Sequence, residues 1–413
     1  MTSRILVLKI SVFLLIACFT TQAFAQSAPR QERLLNGLKV LMFANPSADK
    51  VTVTVRIHSG ASFDPQGKEG VMATLADSFF PTEASQTFFK EDLDGDLSVT
   101  TTYDYIEVKA SSKPEDFLTL LESVSTAVST PTIDKETTPK LVAKRLELIK
   151  KLESDGAYIA DRAAATQLFG TFPYGRAIQG TEESVSKLGF ADVLDAKQRF
   201  LGADNATVAI SGKFDPTLGF RAARRYLGSW LKSDKIPPST FKQPDAPDTK
   251  LATVTTTADT QTQNRFAFRG VARNEKDFAA SEVLTAILLE RLQQNADSKG
   301  SVANGAHILP GSIVLGIDGP VGETPQNLPT LLLSKEITDA EFTAGRAKAS
   351  ASRSQISSEQ KWLDADTYKL PSVTADQKTF DAVTLADVKA LAQRLAKNPV
   401  VAVTVYKAVP AAN

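Results

Sequence analysis

One pattern occurs twice, and it limits the fold more than any other feature. Phe190-Ala-Asp-Val193 returns as Leu385-Ala-Asp-Val388, and Gln198-Arg199 returns as Gln393-Arg394 at the same offset. Beyond it, Ala206, Val208 and Ile210 are matched by Val401, Val403 and Val405, so each copy reads as a helix followed by an alternating strand. Thr384 and Asp387 supply an N-cap and an N3 partner for the second helix. A pattern present in only two copies implies a duplicated domain and not a solenoid. Between the copies, residues 232–250 gather Pro237, Pro238, Pro244 and Pro247 among polar residues, which reads as a stiff linker. The expected organisation is a domain over 31–231, a linker over 232–250 and a related domain over 251–408.

Within the halves, Val51, Val53, Val55 and Ile57 alternate with polar residues and predict a half-buried strand. Leu97 to Val108 also reads as strand, being rich in Thr, Tyr, Val and Ile. Phe117, Leu120, Leu121, Val124 and Val128 recur at helical spacing, and Leu141 to Leu152 is a second amphipathic helix. Without strict βαβ alternation, the fold class is α+β: two related domains, each a mostly antiparallel sheet with helices on one face. The middle helices of the second half look shortened. Lys plus Arg equals Asp plus Glu at 47 each with no basic stripe, so nucleic acid is not an expected partner.

The first 25 residues read as a signal peptide. Arg4 and Lys9 precede the apolar run Ile10–Phe19, which is too short to span a bilayer, and Ala23-Phe24-Ala25 offers a cleavage site before Gln26. The expectation is export across the inner membrane to the periplasm, with no stable membrane span. The alternative is a lipoprotein anchored through Cys18, since Leu15-Ile16-Ala17-Cys18 resembles a lipobox. Cys18 is the only cysteine, so cleavage after Ala25 leaves neither a disulfide nor a thiolate ligand.

Several motifs in order carry a resemblance. Leu35-Asn-Gly-Leu38 leads into the Val51–Ile57 strand, followed by Gly60-Ala-Ser-Phe-Asp64 and Gly67-Lys-Glu-Gly70. Then come the turn and strand Gly95–Asp104, the loop Pro173-Tyr-Gly-Arg176, Gly180-Thr-Glu-Glu183, and Asn205-Ala-Thr207 with Gly212-Lys-Phe-Asp-Pro216. From about residue 33 to the C-terminus the chain resembles the insulinase–pitrilysin zinc peptidases, a group that includes mitochondrial processing peptidase; the likeness is weak between 270 and 370. The resemblance implies the processing-peptidase-like metallohydrolase fold.

The same resemblance exposes missing chemistry. Active members carry H-x-x-E-H on a helix, where two imidazoles on one face grip zinc and the Glu activates its water. Here the three positions hold Ala73, Ala76 and Asp77. Only His58 and His307 exist, so the motif cannot be written anywhere in the chain; both read as ordinary hydrogen-bonding or exposed histidines. The family's third ligand is a Glu on the Leu141–Leu152 helix, where Glu147 is the nearest match, although a lone Glu among Lys and Arg reads as a solvated face. The Arg–Tyr pair with which active complexes hold substrate falls on Ala296 and Ala303, anchored by Lys299-Gly300, with Arg291 nearby at the wrong spacing. Asp92, Asp94 and Asp96 do not make an EF-hand loop, because Leu97 and Tyr103 stand where Gly and Glu are required. A Ser–His–Asp triad has no G-x-S-x-G elbow to support it.

No catalytic residue, metal ligand or cofactor is therefore expected. The resemblance leaves one binding surface, a sheet edge that pairs with extended peptide through main-chain hydrogen bonds. Its residues here are Leu97, Ser98, Val99, Thr100, Thr101 and Thr102, with Ser98 where the family often has Asn. The expected role is the inactive subunit paired with an active zinc-bearing homologous peptidase, completing a peptide chamber. Alternatives are a stand-alone peptide-binding or scaffold protein, and a metallopeptidase with an unusual site built from Asp77 and Glu147.

Overall fold

The computed structural model describes residues 28–233, 242, 244–295, 300–319 and 327–408. Residues 1–27 with Cys18, linker residues 234–241 and 243, and Ala296 and Lys299 lie outside the described residues.

The first half contains strands β1 (Arg30–Arg33), β2 (Lys39–Ala44), β3 (Val51–Ile57), β4 (Leu97–Thr101), β5 (Ile106–Ser112) and β6 (Ala206–Gly212). Its helices are α1 (Val71–Asp77), α2 (Glu83–Glu91), α3 (Phe117–Ser129), α4 (Thr137–Leu152), α5 (Gly156–Phe169), α6 (Glu182–Ser186), α7 (Phe190–Phe200) and α8 (Pro216–Leu227). The second half has β7 (Ala252–Thr256), β8 (Gln263–Arg269), β9 (Gly300–Gly305), β10 (Ser312–Asp318) and β11 (Val401–Lys407). Its helices are α9 (Phe278–Asn295), α10 (Leu328–Ser334), α11 (Asp339–Gln355), α12 (Ser358–Thr367), α13 (Val373–Asp381) and α14 (Leu385–Leu395).

Duplication is explicit in the sheets. The first runs β1-β2-β6-β3-β5-β4 and the second β7-β11-β8-β10-β9. Once β1 is set aside they match strand for strand, each with one parallel pair, β2 with β6 and β7 with β11. The repeated motif forms α7 and α14, and Thr384 and Asp387 close the expected reciprocal cap. The strands that follow do not match position for position. Val208 and Ile210 point into their own half's core, whereas Val401, Val403 and Val405 point to the opposite face, against α5. Because side chains alternate along a strand, a one-residue difference in register reverses the face.

Leu97–Val108 is not one strand but a hairpin. The Thr102 hydroxyl accepts from the N–H groups of Asp104 and Tyr105 and closes the turn, a device with no Gly or Pro to mark it. Shortening in the second half is selective. Helix α10 has 7 residues against 13 in α3, but α11 has 17 against 16 in α4.

Each half places most of its helices on one sheet face and sends one across to the other half. Helix α5 lies on β8 and β11, where Ile159, Ala164 and Leu168 meet Ala267, Val401 and Val403. Full burial of each large aliphatic side chain there stabilises by ~1.5–3 kcal/mol. Helix α12 lies on the outer face of the first sheet, where Leu363 meets Leu41 and Ala209. Both sheets are thus covered on two faces, beyond the one-faced arrangement expected.

Candidate functional site

Helix α1 carries the three replaced positions, and retained motifs set its start. Gly70 takes a left-handed φ of 93° at the N-cap and lies against Gly180, so closely that a Cβ on Gly70 would come within 2.9 Å of the Gly180 Cα. Both oxygens of buried Asp64 accept from this end of the helix, from Gly70 N at 2.7 Å and Met72 N at 2.9 Å. Arg176 donates to the Asp64 carbonyl at 2.7 Å. The motifs that resemble the family are therefore the frame around α1.

Ala73 is fully buried and Ala76 nearly so. Asp77 faces α4 and is bound by Arg145, through Nη2 at 2.6 Å and Nε at 2.8 Å. Nη2 also donates to the Ala73 carbonyl at 2.8 Å, and Nη1 to Gln179. Burial lifts the Asp77 carboxyl above its ordinary range, and Arg145 offsets only part of that lift. Glu147 is exposed on α4 and faces away from this contact, as expected of a solvated residue.

Zinc does not fit these residues. The site offers one carboxylate already engaged by a guanidinium, two alanines and no imidazole. An unusual centre built on Asp77 and Glu147 fails on the same geometry, since the first is taken and the second is turned to solvent. Among the described residues no group of three or more His, Cys, Asp or Glu is placed to hold a metal ion.

The two histidines are tied into contacts between the halves. His58 bonds the hydroxyls of Thr207 and Thr367 at 3.0 Å each. Burial, together with Lys369, Arg56 and Lys39, pushes its pKa down to about 3. His307 Nδ1 lies 2.8 Å from buried Asp104. Arg291 is buried, with its guanidinium held by Glu341 and by the carbonyls of Leu332, Lys335 and Glu336. Ala303 lies exposed on β9. Asp94 and Asp96 are exposed near Lys113 and Lys50, an acidic turn with no metal geometry.

Strand β4 is an edge of the first sheet. Its pairing with β5 fixes which main-chain groups are used. Asp96 accepts from Ser111 and Thr102 donates to Tyr105, both at 2.9 Å, so Ser98 and Thr100 share that inward phase. Leu97 and Val99 therefore turn their N–H and C=O outward. Thr101 shares their phase but is buried at the strand end, and Thr102 is spent in the turn. Of the six residues named from the sequence, Leu97 and Val99 turn main-chain groups outward from an accessible position, whereas the main-chain groups of Ser98, Thr100 and Thr102 are directed at β5 and its turn. Gly95 precedes this strand at a point where a Cβ would meet the Ser111 carbonyl at 1.7 Å. Beside the edge runs a groove of about 550 Å³ lined by Ala76, Asp77, Phe80, Lys90, Leu97 and Val99.

The site thus sets the open edge of β4 beside helix α1, which carries buried Ala73 and Ala76 and the Arg145-bound Asp77. Residues 187–312 match the family model described as the peptidase M16 inactive domain. No curated protein matches the sequence. Among solved structures, a protease from Helicobacter pylori has a TM-score of 0.82 at 16% identity, covering 92% of this chain and 100% of that one. A peptidase M16 inactive domain from Pseudomonas fluorescens gives 0.77 at 16%, over 92% and 98%. A chain of complex III2 from Candida albicans, solved with Inz-5 bound, gives 0.73 at 15%, over 91% and 95%. The α+β, two-half fold is thus the one that these M16-like structures share.

Proposed function

We propose that this chain is the inactive subunit that pairs with an active zinc-bearing homologous peptidase and lends its β4 edge to extended peptide. Its place is the periplasm after export, with a Cys18 lipid anchor as the alternative, and its two functional halves are 31–231 and 251–408. One observation carries this reading: Ala73, Ala76 and Asp77 stand at the three H-x-x-E-H positions, while Leu97 and Val99 still present main-chain groups beside an open groove. Main-chain pairing holds peptide without sequence demand and without a metal. The frame motifs Asp64, Gly70, Arg176 and Gly180 hold α1 in place although it carries no ligand, as expected of a surface kept for its shape.

Affinity purification of the tagged chain from its native envelope, with the zinc content and peptidase activity of what comes with it, tests the proposal. The expected result is an H-x-x-E-H homologue in stoichiometric amount whose activity drops when this chain is withheld. An active homologue that is fully competent alone and never binds this chain would sink it. In that case, retained affinity for unstructured peptides, insensitive to chelator, identifies the stand-alone binding protein.

A further inference from the structure

We propose that Arg145 is the resident cation of this centre: its guanidinium stands in the place the zinc would take and holds α1 to α4 as the metal would. A single side chain from α4 reaches both former histidine positions, the Asp77 carboxylate at 2.6 Å and the Ala73 carbonyl at 2.8 Å. Arg145 is 5% exposed and Ala73 is fully buried, so the charge sits inside the half. A guanidinium so placed persists only when paired and hydrogen-bonded. Asp77 supplies the counter-charge that an imidazole would not.

The three replacements thus act together. Asp77 neutralises the guanidinium, and Ala73 and Ala76 are small side chains beside it. The same guanidinium bonds Gln179, and the Gln179 carbonyl lies where a Cβ on Gly70 would meet it at 2.9 Å, so the contact reaches the start of α1. Arg145 is therefore a positioning residue. It fixes the α1 wall of the groove beside β4, and the groove keeps its shape without metal. Restoring the histidines alone leaves a cation in the zinc's place. The inference does not depend on peptide capture or on a partner, and its test reads neither.

The test uses the purified full chain. The wild type is expected to hold no stoichiometric zinc and to melt at the same temperature with EDTA or with zinc chloride. Arg145→Met is expected to lower the Tm by roughly 5 °C or more. It should also speed amide exchange in 71–77 and 97–101, with Arg145→Lys falling between, because an ammonium keeps the charge but not the planar fork. The variant A73H/A76E/D77H, with Arg145 kept, is expected to stay zinc-free, and adding R145E should load about one zinc per chain. Stoichiometric zinc in the wild type or in the triple variant overturns the proposal. So does an Arg145→Met chain that melts and exchanges like the wild type, a readout that holds even if the histidine variants do not fold.

Discussion

Arg145, His58 and Glu341 show single side chains whose meaning depends on neighbours distant in sequence. His58 is held neutral between Thr207 and Thr367, with its pKa pushed down to about 3. Unfolding frees it to bind a proton below its ordinary pKa near 6.5. Its contribution is therefore complete above about pH 6.5 and is lost as pH falls toward 3, on the order of 2–3 kcal/mol by pH 4 after allowing for its partial exposure. Glu341, held by Arg291 and depressed to about 2, adds a second loss between its ordinary value near 4.5 and about 2. Urea unfolding at pH 7, 5.5 and 4 should show the wild type weakening more than His58→Gln. Parallel curves for the two chains would remove His58 as the cause. Asp64 binds two N–H groups at the start of α1, and Asp64→Ala should cost about 2 kcal/mol in the same assay at pH 7.

At the scale of elements, β4 makes the sharpest prediction, because successive residues of one edge strand have opposite duties. The Val99 N–H points outward and takes no part in the ladder, so Val99→Pro should leave the Tm within about 2 °C. The same change removes a donor from the peptide edge and should lower affinity for an extended peptide at least about tenfold. Ser98 faces Lys109 across the ladder, and Ser98→Pro should cost about 3 kcal/mol. Equal effects of the two substitutions, in melting and in fluorescence anisotropy with a labelled peptide, would mean that β4 is not a free edge. Residues 97–108 were legible as strand from their β-branched and aromatic content. The hairpin inside them was not, because Thr102 makes the turn with its side chain and leaves no glycine or proline signal.

Across the whole molecule the halves are locked by a reciprocal exchange. Buried Arg56 on β3 pairs with Glu107 in its own sheet and with Asp364 on the other half's α12. Arg265 on β8 pairs with Asp318 in its own sheet and with Asp161 on the other half's α5. Removing one partner of a buried pair leaves charge uncompensated, so Arg56→Met should cost about 3 kcal/mol. Because each half buries a sheet face under the other's helix, the chain should unfold as one unit. Amide exchange in β3 of the first sheet and in β10 of the second should report the same urea midpoint. Two separate midpoints would show that the interface is not cooperative.

The sequence by itself determined the duplication, the α+β class, the main helices and the absence of any H-x-x-E-H motif from the chain. Periodicity, capping residues and the presence of only two histidines are local or compositional facts that need no coordinates. Only the tertiary structure decided that Arg145 reaches Asp77, which face each terminal strand shows, and how the halves are joined. Arg145 and Asp77 are 68 residues apart, and Arg56 and Asp364 are 308 apart. A charged residue on an amphipathic helix reads as solvated until a second element closes over it. The face of a strand turns on a one-residue register that only the neighbouring strands can fix.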